Sequence, residues 1–225
     1  SLPAIMAAGV PPHFALGTNK FSSSFGAVTS AYTFMRSGKV HIPLMKFAVP
    51  CTLAGSVIGV FTALRIDQKF LRLIILVLIF AVAIYTIAKK DFGSEDKFKG
   101  LTSRNIIQGC LFAFSLGFYD GFFGPGTGSF LIFLFIKVYG FDFTIAAGNS
   151  KVLNFVSNFT SLVMFAINGK IFYMLGIPIG LAMIAGARLG SKIAIKNGAK
   201  VIKPIFVTIA LVLTLKLLFD AIRLL

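Results

Sequence analysis

The sequence predicts an all-α, polytopic membrane protein built from two related halves, and three observations predict it. The 225 residues have a mean hydropathy of +0.91, with 57% hydrophobic and only 13% charged positions, too apolar for a soluble domain. Apolar residues run continuously over helical lengths rather than alternating as in a membrane-spanning β-barrel. The chain also repeats itself at an offset of 151 − 20 = 131 residues. Ala15, Gly17 and Lys20 align with Ala146, Gly148 and Lys151. In the same register Thr29-Ser30 matches Thr160-Ser161, Phe34 matches Phe165, and Gly38-Lys39-Val40 matches Gly169-Lys170-Ile171. Ala54-Gly55 and Gly59 match Ala185-Gly186 and Gly190, all without a gap, as expected of internal duplication.

Taken in order, Ser1 to Val10 reads as the tail of a helix, with no basic n-region or cleavage pattern of a signal peptide. Residue 1 aligns with residue 132, so the reading is of a chain truncated ahead of Ser1 by roughly one long hydrophobic segment. Pro11-Pro12 makes a short connection. Phe14 to Phe34 is a span of unusual polarity, and Arg36 to His41 is a basic turn. Ile42 to Leu64 is a second span, whose Ala54-Gly55-Ser56 would admit a neighbouring helix closely. Phe70 to Ala88 is a third, uniformly aliphatic apart from Arg72. Lys89 to Arg104 is the one long hydrophilic loop, which divides the chain into a first repeat (1–89), a linking loop (90–104) and a second repeat (105–225).

Within the second repeat, Gly117-Phe-Tyr-Asp-Gly-Phe-Phe-Gly-Pro-Gly-Thr-Gly-Ser129 interrupts apolar sequence that runs from Ile106 to Leu116 and resumes from Phe130 to Val138. Unpaired backbone groups at membrane depth each cost several kcal/mol unless protein or a wet cavity satisfies them. Pro125 lacks an N–H, and Gly124, Gly126 and Gly128 leave the backbone bare, so a broken or re-entrant helix around Asp120–Ser129 is predicted. As one helix, Asn105 to Tyr139 would be about 50 Å long, too much for a hydrocarbon core of roughly 30 Å. If it enters and returns, the halves are inverted. Then Arg36, Lys39, the 89–104 loop, Lys137 and Lys192, Lys196, Lys200 and Lys203 share one face, which the positive-inside rule makes cytoplasmic.

The chemistry is expected in the duplicated polar spans. Lys20 and Lys151 occupy equivalent positions near Asn19, Ser23, Asn154, Ser157 and Asn158. An ammonium in mid-membrane costs about 3 kcal/mol on insertion scales, so it faces a cavity or a partner. Lys151, Asn154 and Asn158 share one helix face, and Lys20, Ser23 and Ala27 trace the same stripe. With the backbone amides of Gly126, Thr127 and Gly128 these side chains would suit a small anion, which gives the candidate substrate-binding set Asn19, Lys20, Ser23, Gly126, Thr127, Gly128, Lys151, Asn154 and Asn158. Against it stands the reading that both lysines, in the first turns of their spans, snorkel to a membrane surface. Asp120, the one acid near the break, could carry a coupling proton, pair with a lysine, or cap a half-helix.

Other residue types point to packing. Cys51 and Cys110 lie in apolar segments as small buried hydrophobes, with neither a disulfide nor a metal site expected. His13 and His41 fall in turns without metal-ligand spacing. No catalytic triad, Walker loop or HExxH pattern is present, and no cofactor is called for. The net charge of +15 sits at the ends of hydrophobic runs, so it reads as membrane anchoring rather than nucleic-acid binding.

Gly117-Phe-Tyr-Asp-Gly-Phe-Phe-Gly-Pro-Gly-Thr-Gly-Ser-Phe130, then Ala147-Gly-Asn-Ser-Lys-Val-Leu-Asn-Phe-Val-Ser-Asn158, Gly169-Lys170 and Gly186-Ala-Arg-Leu-Gly-Ser191 together resemble the TauE/SafE sulfite exporters, also called the toluene-sulfonate uptake permease family. Pro3 to Pro12 followed by Ala15-Leu-Gly-Thr-Asn-Lys20 is similar to that family's first repeat. The resemblance implies a multi-pass transporter of the bacterial inner membrane that exports sulfite, sulfonates or related small organic anions by a secondary mechanism. Its partners would be a small anionic substrate and the lipid bilayer, with room for a homodimer. An anion channel and a membrane-embedded enzyme acting on a lipid-soluble substrate are the competing functions.

Overall fold

The computed structural model describes residues 2–67, 69–71, 74 and 95–198, and they are helical apart from short connections. The elements are α1 (Leu2–Ala7), α2 (Pro12–Arg36), α3 (Ile42–Arg65), α4 (Ser103–Phe122), α5 (Thr127–Leu134) continued by a π-helical turn (Phe135–Tyr139), α6 (Phe143–Ile167) and α7 (Tyr173–Asn197). The expected third span and most of the inter-repeat loop's first part lie outside the described residues, as do Lys200 and Lys203.

Local chemistry sets the ends of these helices. Pro12 starts α2, where its missing N–H would be unpaired anyway. Thr102 and Asn105 form a reciprocal capping box at α4. The Asp142 carboxylate accepts from the amides of Thr144 (2.6 Å) and Ile145 (3.0 Å) to cap α6. Three described helices are long and apolar enough to cross a membrane: α3, α6 and α7. The expected first span, now α2, is not among them. Its Thr18, Asn19, Lys20, Ser22 and Ser24 are buried by neighbouring helices instead, so that helix spends its polar residues inward. Large apolar side chains such as Ile107, Leu111, Phe112, Ile177 and Leu181 are exposed, as befits a lipid-facing exterior.

The closest helix contact is between α3 and α4, which run parallel. Gly55 and Gly59 of α3 lie against the Phe114 and Phe118 carbonyls, while Gly117 and Gly121 of α4 lie against Thr52 and Ser56. A Cβ built at any of the four would sit 2.1–2.4 Å from a backbone oxygen of the other helix. Two small-xxx-small faces thus interlock, the arrangement by which membrane helices gain dispersion contacts that water expulsion cannot supply.

Helices α2 and α6 run antiparallel, and their bounds are offset by 143 − 12 = 131 and 167 − 36 = 131. Their contacts recur at the same offset. A Cβ at Gly17 would lie 2.0 Å from the Lys170 carbonyl oxygen, and one at Gly148 would lie 1.9 Å from that of Lys39. The amide of Phe172 donates to Thr18 Oγ1 (2.9 Å), and that of His41 donates to Asn149 Oδ1 (2.8 Å).

The glycine-rich stretch breaks the helix more briefly than its composition suggests. Helix α4 continues through Phe122, so Gly117 to Phe122 are helical and only residues 123–126 interrupt. The chain then turns back. Tyr139, at the end of the second leg, donates its hydroxyl to the Asn105 carbonyl (2.9 Å) near the start of the first.

Two minor expectations are revised. Cys51 and Cys110 are half-buried free thiols rather than buried ones, and the Cys110 thiol faces the Phe47 carbonyl (3.7 Å). His13 lies in the first turn of α2, buried, with Nε2 2.9 Å from the Ala63 carbonyl, and so ties α2 to α3.

Candidate functional site

The site grows out of the end of α4. Asp120 occupies that helix's last turn, where α2 and α6 also converge, and its carboxylate is almost wholly enclosed. From α2, Lys20 Nζ lies 3.0 Å from Asp120 Oδ1, with the two side chains 1% and 2% exposed. From α6, Ser157 donates its hydroxyl to Asp120 Oδ2, and Asn158 Nδ2 lies 3.4 Å from the same oxygen. One carboxylate therefore meets three donors from two other helices. A buried ion pair is tolerated only when its remaining lone pairs and protons are also served, and here they are.

The break closes over this pair. Gly124 has φ +98°, a left-handed conformation that suits glycine, and a Cβ there would lie 2.7 Å from Lys20 Nζ and 3.0 Å from Asp120 Oδ1. Two short bonds hold the turn: the Tyr119 hydroxyl donates to the Pro125 carbonyl (2.7 Å), and Thr127 Oγ1 donates to that of Gly124 (2.7 Å). Gly126, at φ +86°, is the N-cap of α5, without a side-chain cap. Capping is therefore not the role of Asp120; its carboxylate points back to Lys20.

The sequence-predicted residues divide into those the structure gathers and those it leaves apart. Lys20, Asp120 and Asn158 meet. Asn19 is buried beside Lys20 on α2, whereas Ser23 is only half-buried. Asn154 serves the cluster through its backbone carbonyl, which accepts from Asn158 Nδ2 (2.6 Å) and Ser157 Oγ (3.2 Å). Lys151 is half-buried and has no hydrogen-bond or ion-pair partner among the described residues. Of the three amides expected to be free, that of Thr127 is spent on the Gly124 carbonyl (3.2 Å). Gly128 faces open space, since a Cβ there would meet nothing within 4 Å, and its carbonyl accepts from Ser150 Oγ (3.0 Å).

Two participants escaped the sequence reading. Ser157 lies about 100° around α6 from Asn158, off the stripe that Lys151, Asn154 and Asn158 define. Gly124 was read only as a flexible link, not as a surface for the lysine. The signal that could have found Ser157 was the carboxylate itself: a buried Asp120 demands more donors than one lysine provides. Chemically the junction is a small, dry cradle whose donors all point at two carboxylate oxygens.

Comparison with known proteins places the chain among relatives of the same kind. The family model described as Sulfite exporter TauE/SafE matches residues 1–217. The chain is 34% identical over 224 residues to a protein of Escherichia coli (strain K12) named "Probable membrane transporter protein YfcA", an alignment covering 98% of this chain and 81% of that one. It is likewise 34% identical over 220 residues to a "Probable membrane transporter protein" of Haemophilus influenzae, covering 98% and 86%. A more distant relative in Bacillus subtilis, "Probable membrane transporter protein YunE", is 23% identical over 227 residues, covering 95% and 83%. No solved structure matches. With its family model matched over almost the whole length and its long apolar helices, the chain belongs to the TauE/SafE family of multi-pass membrane transporters.

Proposed function

We propose that the protein is a secondary transporter of the bacterial inner membrane that exports sulfite, sulfonates or related small organic anions. The anion is held between two inverted repeats by Lys, Asn and Ser side chains and by backbone amides of the helix break, with Asn19, Lys20, Ser23, Gly126, Thr127, Gly128, Lys151, Asn154 and Asn158 as the binding set. The observation that carries this reading is the buried Lys20 ammonium, held against a helix break inside an apolar chain. Such a cation is costly to keep there unless it serves transport. The family's printed description, a sulfite exporter, supports the class of anion.

Inverted repeats are supported by the antiparallel course of α2 and α6 and by contacts that recur 131 residues apart. A two-fold axis across the helices relates such a pair. The return of Tyr139 to Asn105 supports a hairpin that enters the bilayer and leaves by the same side, and it is the geometry by which each half would make an odd number of passes. Asp120, beside Lys20, is the candidate for coupling to protons.

The test is flux of sulfite in proteoliposomes. Saturable uptake driven by an imposed gradient is expected of the intact protein, and Lys151→Met is expected to abolish it while leaving the protein folded. Unchanged flux in that variant removes Lys151 from the binding set. Conduction that never saturates would favour a channel, and conversion of the solute would favour an enzyme.

A further inference from the structure

We infer that Asp120 is a built-in occupant of the anion site: its carboxylate fills the cradle that a transported oxyanion takes, and the two exchange by protonation of Asp120. This rests on the anion-transport reading above and names the coupling reaction at the same site. Every donor of the cluster is already engaged. Lys20 Nζ is 3.0 Å from Oδ1, Ser157 donates to Oδ2, and Asn158 Nδ2 is 3.4 Å from Oδ2. A carboxylate is itself a small oxyanion with two acceptor oxygens, so a donor set that suits it suits a sulfite, sulfonate or carboxylate equally well.

Both cannot be bound at once. Gly124 lies against Lys20 and Asp120 so closely that even a Cβ would stand 2.7 Å from the ammonium, which leaves no space beside the pair for a second anion. Two negative groups on one lysine in a site this dry would also repel strongly. An entering anion therefore displaces the carboxylate from Lys20, and the displaced group is stable in that setting only after it gains a proton. The balance is simple: Asp120 takes one proton from water on the side from which the anion arrives, the anion takes Lys20, and the proton leaves with the anion. One proton moves with each anionic charge.

The surroundings leave this exchange to Asp120 alone. Lys20, from α2, is the charged group paired with it. Helix α3 faces α4 with Thr52 and Ser56, which are uncharged. Helix α6 contributes Ser157 and Asn158, and Lys151 lies about 9 Å further along that helix axis from Ser157. Helices α1 and α5 contain no titratable residue. On α4 itself the neighbouring Tyr119 hydroxyl is engaged with the Pro125 carbonyl.

The experiment uses the full chain in detergent or liposomes with methanesulfonate, whose own charge is fixed over the working pH range. Binding is followed together with proton uptake in weakly buffered solution and with difference infrared spectra of carboxyl groups. Wild type is expected to take up one proton per anion, to gain a protonated-carboxyl band on binding, and to lose affinity about tenfold per pH unit once Asp120 is ionised. Asp120→Asn, which mimics the protonated acid, is expected to bind with neither proton uptake nor pH dependence. Binding to wild type without proton uptake or a new carboxyl band overturns the inference and leaves the transporter reading standing, whereas no anion binding at all overturns both. The wild-type proton count needs no variant, so an Asp120→Asn protein that fails to fold leaves the decision intact.

Discussion

Helix α4 meets the rest of the protein through two neighbouring surfaces that obey different rules. Gly117 and Gly121 press backbone to backbone against α3, with no polar side chain between them. Asp120, one residue from Gly121, turns to α2 and α6 and buries a full charge against Lys20. The first contact has nothing but shape to recommend it. The second is expensive in shape and solvation and is satisfied only by a matched set of donors. Their adjacency on one helix turn means that the dry face holds the polar one in place, so rigidity and reactivity are set within a few residues.

The largest effect should come from breaking the dry face. Gly121→Leu would drive a branched side chain into Thr52 and Ser56, where even a Cβ falls 2.3 Å from the Ser56 carbonyl oxygen. Because the obstruction is backbone, no rotamer relieves it, and helices α3 and α4 must part. The expected outcome is loss of folded protein from the membrane, read by fluorescence-detected size exclusion of a tagged chain. Full accumulation of Gly121→Leu would show that the α3–α4 contact is not what orders this region.

The polar face should respond differently, since its two charges are worth more together than apart. Lys20→Met alone or Asp120→Leu alone leaves one buried charge without its partner, and each is expected to lower stability by roughly 3–5 kcal/mol. Removing both charges in Lys20→Met/Asp120→Leu should restore most of that stability, because an apolar pair of similar volume needs no solvation. Transport should stay absent in all three. Thermal melts of the purified variants check the first part and flux checks the second. A double variant that transports would reduce the ion pair to a structural latch.

Much of this architecture was legible in the residues. The break, the repeated lysines and the 131-residue register are local patterns, and patterns survive in sequence. The helix bounds at 12 and 36 recur at 143 and 167 because capping and hydrophobic period travel with the repeat. What was not legible depended on side-by-side placement. Glycine and aromatic residues suggested that the break began at Gly117, yet Gly117 and Gly121 are small so that α3 can approach, not so that the helix can end. Ser157 lay off the stripe chosen by helical spacing because Asp120 approaches α6 from the side, between Ser157 and Asn158. No single-segment pattern encodes the direction from which a third helix arrives.

The smallest expected effect probes whether the two halves are balanced as well as related. Thr18 and Asn149 are 131 residues apart and each accepts from a backbone amide of the other half, Phe172 at 2.9 Å and His41 at 2.8 Å. Thr18→Val keeps the shape but leaves the Phe172 amide without its acceptor, and an unserved buried donor costs about 1–3 kcal/mol. Asn149→Leu strands the His41 amide in the same way, but it also removes an Asn149 Nδ2 group that is buried without a partner among the described residues. Loss of that poorly satisfied donor offsets part of the damage. The second substitution should therefore lower the melting temperature less than the first. Equal shifts would mean that Asn149 Nδ2 is served by a bound water, and a larger shift for Asn149→Leu would place the more important joint at the His41 end.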